Sequence, residues 1–193
     1  IHLVIAQTDV EKKHRGINAF IVETDWEGVE IGAKEDKLGI RSSDTHTIMY
    51  NDVKVPKENR IGEDGFGFKF AMKVLSGGRI GIASQALGIA AGAFELATAY
   101  SKERKSFGKE IYQHQVIAFK LADMATDIEA ARLMVHRAAW MKDNGLDYTI
   151  SASMAKLFAS DAAMKHTVEA VQVHGDYGFV KEYHVERLMR DAK

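Results

Sequence analysis

QHQVIAFKLADMATDIEAARLMVHRAAWMKDN, residues 113–144, decides the fold. Within it Ile117, Leu121, Met124, Ile128, Ala131, Val135 and Ala138 recur at alternating spacings of four and three. An α-helix turns once in ~3.6 residues, so these side chains share one stripe. A stripe sustained at that spacing is the seam of a near-parallel or antiparallel helix bundle. Asn144-Gly145 gives the stop, because glycine adopts positive φ at little steric cost.

Working outward, residues 149–174 repeat the spacing with Ile150, Met154, Leu157, Asp161, Met164, Val168 and Val171. Asp161 interrupts the stripe, so it is expected in a structural ion pair or open to water. Gly175 and Gly178 close this helix, and a short helix follows around Val185–Arg190. Upstream, helical patterning starts at Asp64. Gly77-Gly78 is expected to interrupt it, since each glycine costs about 1 kcal/mol against alanine in a helix. From Arg79 to about Lys105, Ile80, Ser84, Leu87, Ala91, Phe94 and Thr98 form a third stripe, and Gly81, Gly88 and Gly92 form a thin face. Residues 1–63 read instead as β-structure. Leu3–Gln7, Ala19–Glu23, Val29–Lys34 and Thr47–Val55 are short runs rich in β-branched and aromatic residues, separated by turn formers. The fold class is therefore α+β, with a partial β-domain over 1–63 and an up-down helical bundle over 64–193. Three long helices leave a groove for a last helix, to be filled by further chain or by another subunit.

Composition narrows the chemistry. A 193-residue chain that is 46% hydrophobic builds a real core, and a net charge of −1 gives no pull towards nucleic acid. The absence of cysteine excludes disulfides and thiolate sites. No apolar run reads as long enough to cross a bilayer. The chain opens directly on a strand, so its natural N-terminus is expected upstream. Metal is not expected, because the one Glu-x-x-His match, Glu11 to His14, falls in a polar loop, and His166 and Glu169 have the reverse order. There is no Gly-x-Ser-x-Gly elbow for a serine nucleophile. Gly65 and Gly67 lack the spacing of a dinucleotide fingerprint.

One turn stands out, Glu103-Arg104-Lys105-Ser106-Phe107-Gly108-Lys109 between two helical patterns. Arg104 offers a planar fork of donors for phosphate or carboxylate, Ser106 a hydroxyl, and Phe107 a ring for a flat ligand. The same residues also suit a plain helix end, with Gly108 as cap and the cation on the helix dipole.

Four segments carry a resemblance. They are Lys37-Leu38-Gly39-Ile40-Arg41-Ser42-Ser43-Asp44-Thr45, Gly78-Arg79-Ile80-Gly81-Ile82-Ala83, Glu103 to Gln115, and Gln172 to Lys193. In order and spacing the chain resembles the acyl-CoA dehydrogenases over essentially its whole length, most nearly their short-chain (butyryl-CoA) branch. The resemblance implies that residues 1–63 are the second half of a middle β-domain. It implies FAD-dependent α,β-dehydrogenation of short-chain acyl-CoA to trans-2-enoyl-CoA, with electrons passed to an electron-transferring flavoprotein. Arg104, Ser106, Phe107, Gln115, Gln172 and Gly175 would then contact the FAD of a neighbouring subunit, and Ser76, Gly77, Gly78 and Arg79 would line the acyl-CoA pocket. The family segment Gln-x-x-Gly-Gly-x-Gly reads Gln172-Val173-His174-Gly175-Asp176-Tyr177-Gly178 here, so Asp176 stands where a glycine is usual and would crowd or repel a diphosphate. No catalytic base is assigned. The family's glutamate follows the motif matching Arg190-Asp191-Ala192-Lys193, and the position some branches use instead is Gly78. These residues alone are thus expected to be inactive. The resemblance further implies a homotetramer in a bacterial cytoplasm or, less favoured, a mitochondrial matrix. The alternatives are a non-enzymatic helical oligomerisation or interaction module and an acyl-CoA oxidase-like flavin enzyme.

Overall fold

In the computed structural model, which describes all of residues 1–193, the heptad-patterned stretch forms the helix α2, Gln115–Asp143. Its seam points inward as the spacing requires. Met124, Ile128, Ala131, Val135 and Ala138 are buried, and Ile117 and Leu121 pack against the same core. Three more helices share that core: α1 (Gly67–Glu103), α3 (Thr149–His174) and α4 (Val185–Ala192).

The helices differ from the sequence expectations in three respects. First, α1 is continuous, and Gly77-Gly78 do not interrupt it. Two glycine penalties of about 1 kcal/mol each are small beside a long ladder of backbone hydrogen bonds anchored by Ile80, Ala83, Leu87, Ala90, Ala93 and Ala97 in the core. Second, by length and apolar composition alone this helix is long enough to cross a bilayer, contrary to the sequence expectation, although one face of it lies in the helical core. Third, most of the large residues expected on the inner seam of α3 do not form it, although Val171 packs against the core. Ile150, Met154, Leu157 and Val168 are exposed, and so is Asp161. The inner face is instead a stripe of alanines, Ala152, Ala155, Ala159, Ala162, Ala163 and Ala170. Small side chains let the backbones approach, so the face without bulk is the one that packs.

Polar groups also cross between α2 and α3. Asp127 accepts from Lys165 Nζ at 2.9 Å and from the buried His166 Nε2 at 2.8 Å, and Lys120 pairs with Glu169. His166 Nδ1 is buried without a partner.

The chain divides into two compact units, residues 1–36 with 41–75, and residues 37–40 with 76–193. In the first, β1 (His2–Gln7) runs antiparallel to β2 (Ile17–Val22), with Leu3 opposite Ile21 and Ile5 opposite Ala19. β2 also pairs with the short β5 (Arg60–Ile61), which the sequence reading missed. β3 (Val29–Lys34) and β4 (His46–Tyr50) form a separate antiparallel pair. Buried Asn18 fastens this unit. Its Nδ2 donates to Thr8 Oγ1 at 2.8 Å and Asp64 Oδ1 at 3.0 Å, and its Oδ1 accepts from the Gly65 N–H at 2.9 Å.

In the second unit a short piece of upstream chain docks on α4. Arg190 forks onto Glu186 at 2.7 and 3.1 Å and donates to the Leu38 carbonyl at 2.8 Å. Asp191 accepts from the Ile40 N–H at 2.6 Å. A Cβ on Gly39 would lie 2.1 Å from the Arg190 carbonyl oxygen, so only glycine fits there. Ile40 holds φ 48°, a left-handed conformation that is strained for a β-branched residue.

Candidate functional site

The distinctive turn is built where α1 ends and α2 begins. Helix α1 stops at Glu103, and Lys105–Ser106 (β6) pairs with Lys109–Glu110 (β7) as a minimal hairpin. Its two tip residues, Phe107 and Gly108, have φ of 51° and 80°. Positive φ at both central positions is what a two-residue type I′ turn needs. Gly108 is therefore a hairpin residue and not the helix cap that a sequence reading allows. The base is closed by the Ile111 N–H donating to the Arg104 carbonyl at 2.9 Å, and Lys105 pairs with Glu110 at 3.5 Å across it. The His114 Nε2–H donates to the Ser106 carbonyl at 3.1 Å. Phe107 is held at the tip, 94% exposed, with its ring edge-on to His114.

The end of α3 meets this hairpin. Between them lies a cavity of about 750 Å³ lined by Arg104, Ser106, Phe107, Gln172, Gly175 and Asp176 among others. Five of the six residues expected to bind cofactor thus line one cavity. The sixth, Gln115, is the exposed first residue of α2 and is not in the lining. The four residues expected to bind substrate lie along α1, outside the lining. There Arg79 Nη1 donates to Ser153 Oγ at 3.4 Å.

Glycines shape the far wall. Gly175 leaves α3 with φ 57°, and a Cβ on Gly178 would sit 2.2 Å from the Val171 carbonyl oxygen. The turn Gly175–Tyr177 is thereby folded back against α3.

An aromatic cluster underlies the cavity, and the sequence reading missed it. His174 stacks on Tyr100 at 4.3 Å between centroids, and Tyr183 meets both edge-on at 6.0 Å. The His174 Nδ1–H donates to the Ala170 carbonyl at 2.8 Å. Burial pushes the His174 pKa down despite that bond, so the ring stays neutral at ordinary pH with Nε2 as an acceptor. Burial pushes the Tyr100 phenol up, partly opposed by Arg104, so it stays protonated. The only sequence hint was Tyr100 sitting one helical turn before Arg104.

Charge is distributed unusually here. The Arg104 guanidinium lies 5.8 Å from the centre of the Tyr177 ring and pairs with no carboxylate. Asp176 lines the same cavity and has no partner of its own. A free planar cation, a small hydroxyl, an exposed ring and a glycine turn fit a ligand that carries both a phosphate and a flat ring system.

Similarity to known proteins runs along essentially the whole chain. Residues 65–193 match the family model described as acyl-CoA dehydrogenase, C-terminal domain. The chain is 53% identical, over 99% of its length and 50% of the relative's, to a short-chain specific acyl-CoA dehydrogenase of Clostridium acetobutylicum. It is 51% identical, over 99% of its length and 50% of the relative's, to the caffeyl-CoA reductase-Etf complex subunit CarC of Acetobacterium woodii. The structure of butyryl-CoA dehydrogenase from Megasphaera elsdenii superposes with a TM-score of 0.96 at 53% identity, covering 98% of this chain and 50% of that one. The chain thus spans about half the length of the curated relatives it matches.

Proposed function

The chain belongs to the acyl-CoA dehydrogenase family, and on that premise we propose that it is part of an FAD-dependent enzyme that converts short-chain acyl-CoA thioesters to trans-2-enoyl-CoA. The observation that carries this reading is the gathering of Arg104, Ser106, Phe107, Gln172 and Gly175 around one cavity with the guanidinium unpaired. Arg104 would neutralise the diphosphate of the flavin nucleotide and Ser106 would hydrogen-bond it. Phe107, exposed on its rigid turn, would lie against a cofactor held mainly by a neighbouring subunit. Gln172 and the Gly175 backbone would bound the nucleotide, and Gln115 would reach its adenosine side from the start of α2.

When bound, a flavin would supply the hydride-accepting chemistry that α,β-dehydrogenation requires. This chain's own contribution is to bind and orient. Ser76, Gly77, Gly78 and Arg79 would line the acyl-CoA pocket, with Arg79 orienting the CoA portion. That segment carries no carboxylate to take the α-proton, and on this reading these 193 residues alone would not turn over. Relatedness to an Etf-complex subunit supports an electron-transferring flavoprotein as acceptor. The assembly we infer is a homotetramer in the cytoplasm. Flavin absorbance of the intact protein after gel filtration tests the reading. Arg104→Ala should lose FAD, with affinity lowered at least about tenfold for a missing charge-assisted contact. Full retention of FAD by that variant would overturn it.

A further inference from the structure

We propose that the Asp176 carboxylate is a specificity element, accepting hydrogen bonds from the ribose hydroxyls of a nucleotide whose phosphate is taken by Arg104. The proposal rests on the nucleotide reading of the cavity above. It starts from a simple imbalance. Two opposite charges line one cavity of about 750 Å³, and neither meets the other or any third charge. A bare diphosphate would satisfy Arg104 and leave Asp176 repelled. A ligand carrying both an anion and hydroxyl donors satisfies both, as a nucleoside diphosphate does.

The two groups line one cavity without forming an ion pair. Arg104 sits over the ring of Tyr177, the residue next to Asp176. Asp176 and Tyr177 share one short turn that begins at the left-handed Gly175 and ends at Gly178, which has no room for a side chain. The cation thus lies by the ring, and the carboxylate is carried on the adjoining residue of the same turn. An ionised carboxylate accepts only, through two oxygens, and so suits a vicinal diol. Acidic side chains read a ribose 2′-hydroxyl in this way in dinucleotide-binding folds. The same charge rejects a ribose that carries a phosphate.

Calorimetric titration of the purified protein with ADP, 2′,3′-dideoxy-ADP and inorganic pyrophosphate tests this. The wild type should bind ADP about tenfold more tightly than the dideoxy compound, the loss expected when a charged acceptor is left unpaired. Asp176→Ala should erase that preference and leave pyrophosphate binding equal or tighter, with circular dichroism confirming the fold. If Asp176→Ala binds ADP more tightly than the wild type, the carboxylate only repels and the proposal is wrong. ADP binding that depends on Arg104 but ignores the hydroxyls sinks the Asp176 role alone. ADP binding that is absent, or unchanged in Arg104→Ala, removes the nucleotide reading and this proposal with it.

Discussion

Helices α2 and α3 carry the same four-three spacing of large apolar residues, yet one buries them and the other displays most of them. On α2, Met124 is 0% exposed, whereas on α3 Leu157 is 62% exposed and Ile150 69%. Periodicity tells which residues share a face. It does not tell which of two faces turns inward. On α3 that choice falls to alanine, because Ala152, Ala155, Ala159 and Ala163 let the neighbouring backbones close in. The large residues are left outside, with Asp161 among them as the sign that the stripe meets solvent.

Substitutions can break or sharpen that contrast. The largest effect belongs to Met124→Ala, which should cost about 2–5 kcal/mol in urea denaturation, because a fully buried side chain is deleted from a shared core. An unchanged midpoint would mean that the α2 seam is not the core. Next is Ala159→Leu, expected to cost about 1–3 kcal/mol by overpacking the close contact of α3, where an outward face would tolerate it.

Asp127 tests the polar tie between the two helices. The hydrogen bond from Lys165, reinforced by His166, holds its carboxyl below the usual carboxylate range. The stabilisation is therefore complete above the unfolded value near 3.9 and fades as pH falls through the lower folded value. Asp127→Asn should lose about 1 kcal/mol at neutral pH and show a shallower acid decline in a pH series of melting curves. A decline as steep as that of the wild type would remove Asp127 from the tie. The smallest effect is expected for Leu157→Ala, within about 0.5 kcal/mol in the isolated chain, as for a surface site. A loss as large as that of Met124→Ala would mean that the face is covered.

Much of this architecture was legible before any coordinates. Thr149–His174 matches its expected bounds because Gly175, the residue that ends it, needs a conformation glycine prefers. Val29–Lys34 reads directly from its composition. The hairpin at Phe107-Gly108 was not legible, since two-residue strands of Lys, Ser and Glu carry no alternation to read. The continuity of α1 is hidden in the sequence, because a local glycine penalty carries no information about the core that outweighs it. For the site, Arg104, Ser106 and Phe107 were visible as one motif, and Gln172 and Gly175 as another. Their meeting around a single cavity, over the stacked Tyr100 and His174, follows only from tertiary packing of distant helix ends.

The docking of Lys37-Leu38-Gly39-Ile40 against α4 makes the helical unit discontinuous along the chain. A helical half excised at residue 65, where the family match begins, would look complete by alignment. It would nonetheless leave an empty slot at Arg190 and Asp191, shaped for a glycine backbone. Supplied in trans as a free peptide, those four residues should behave as a ligand for the rest of their own protein.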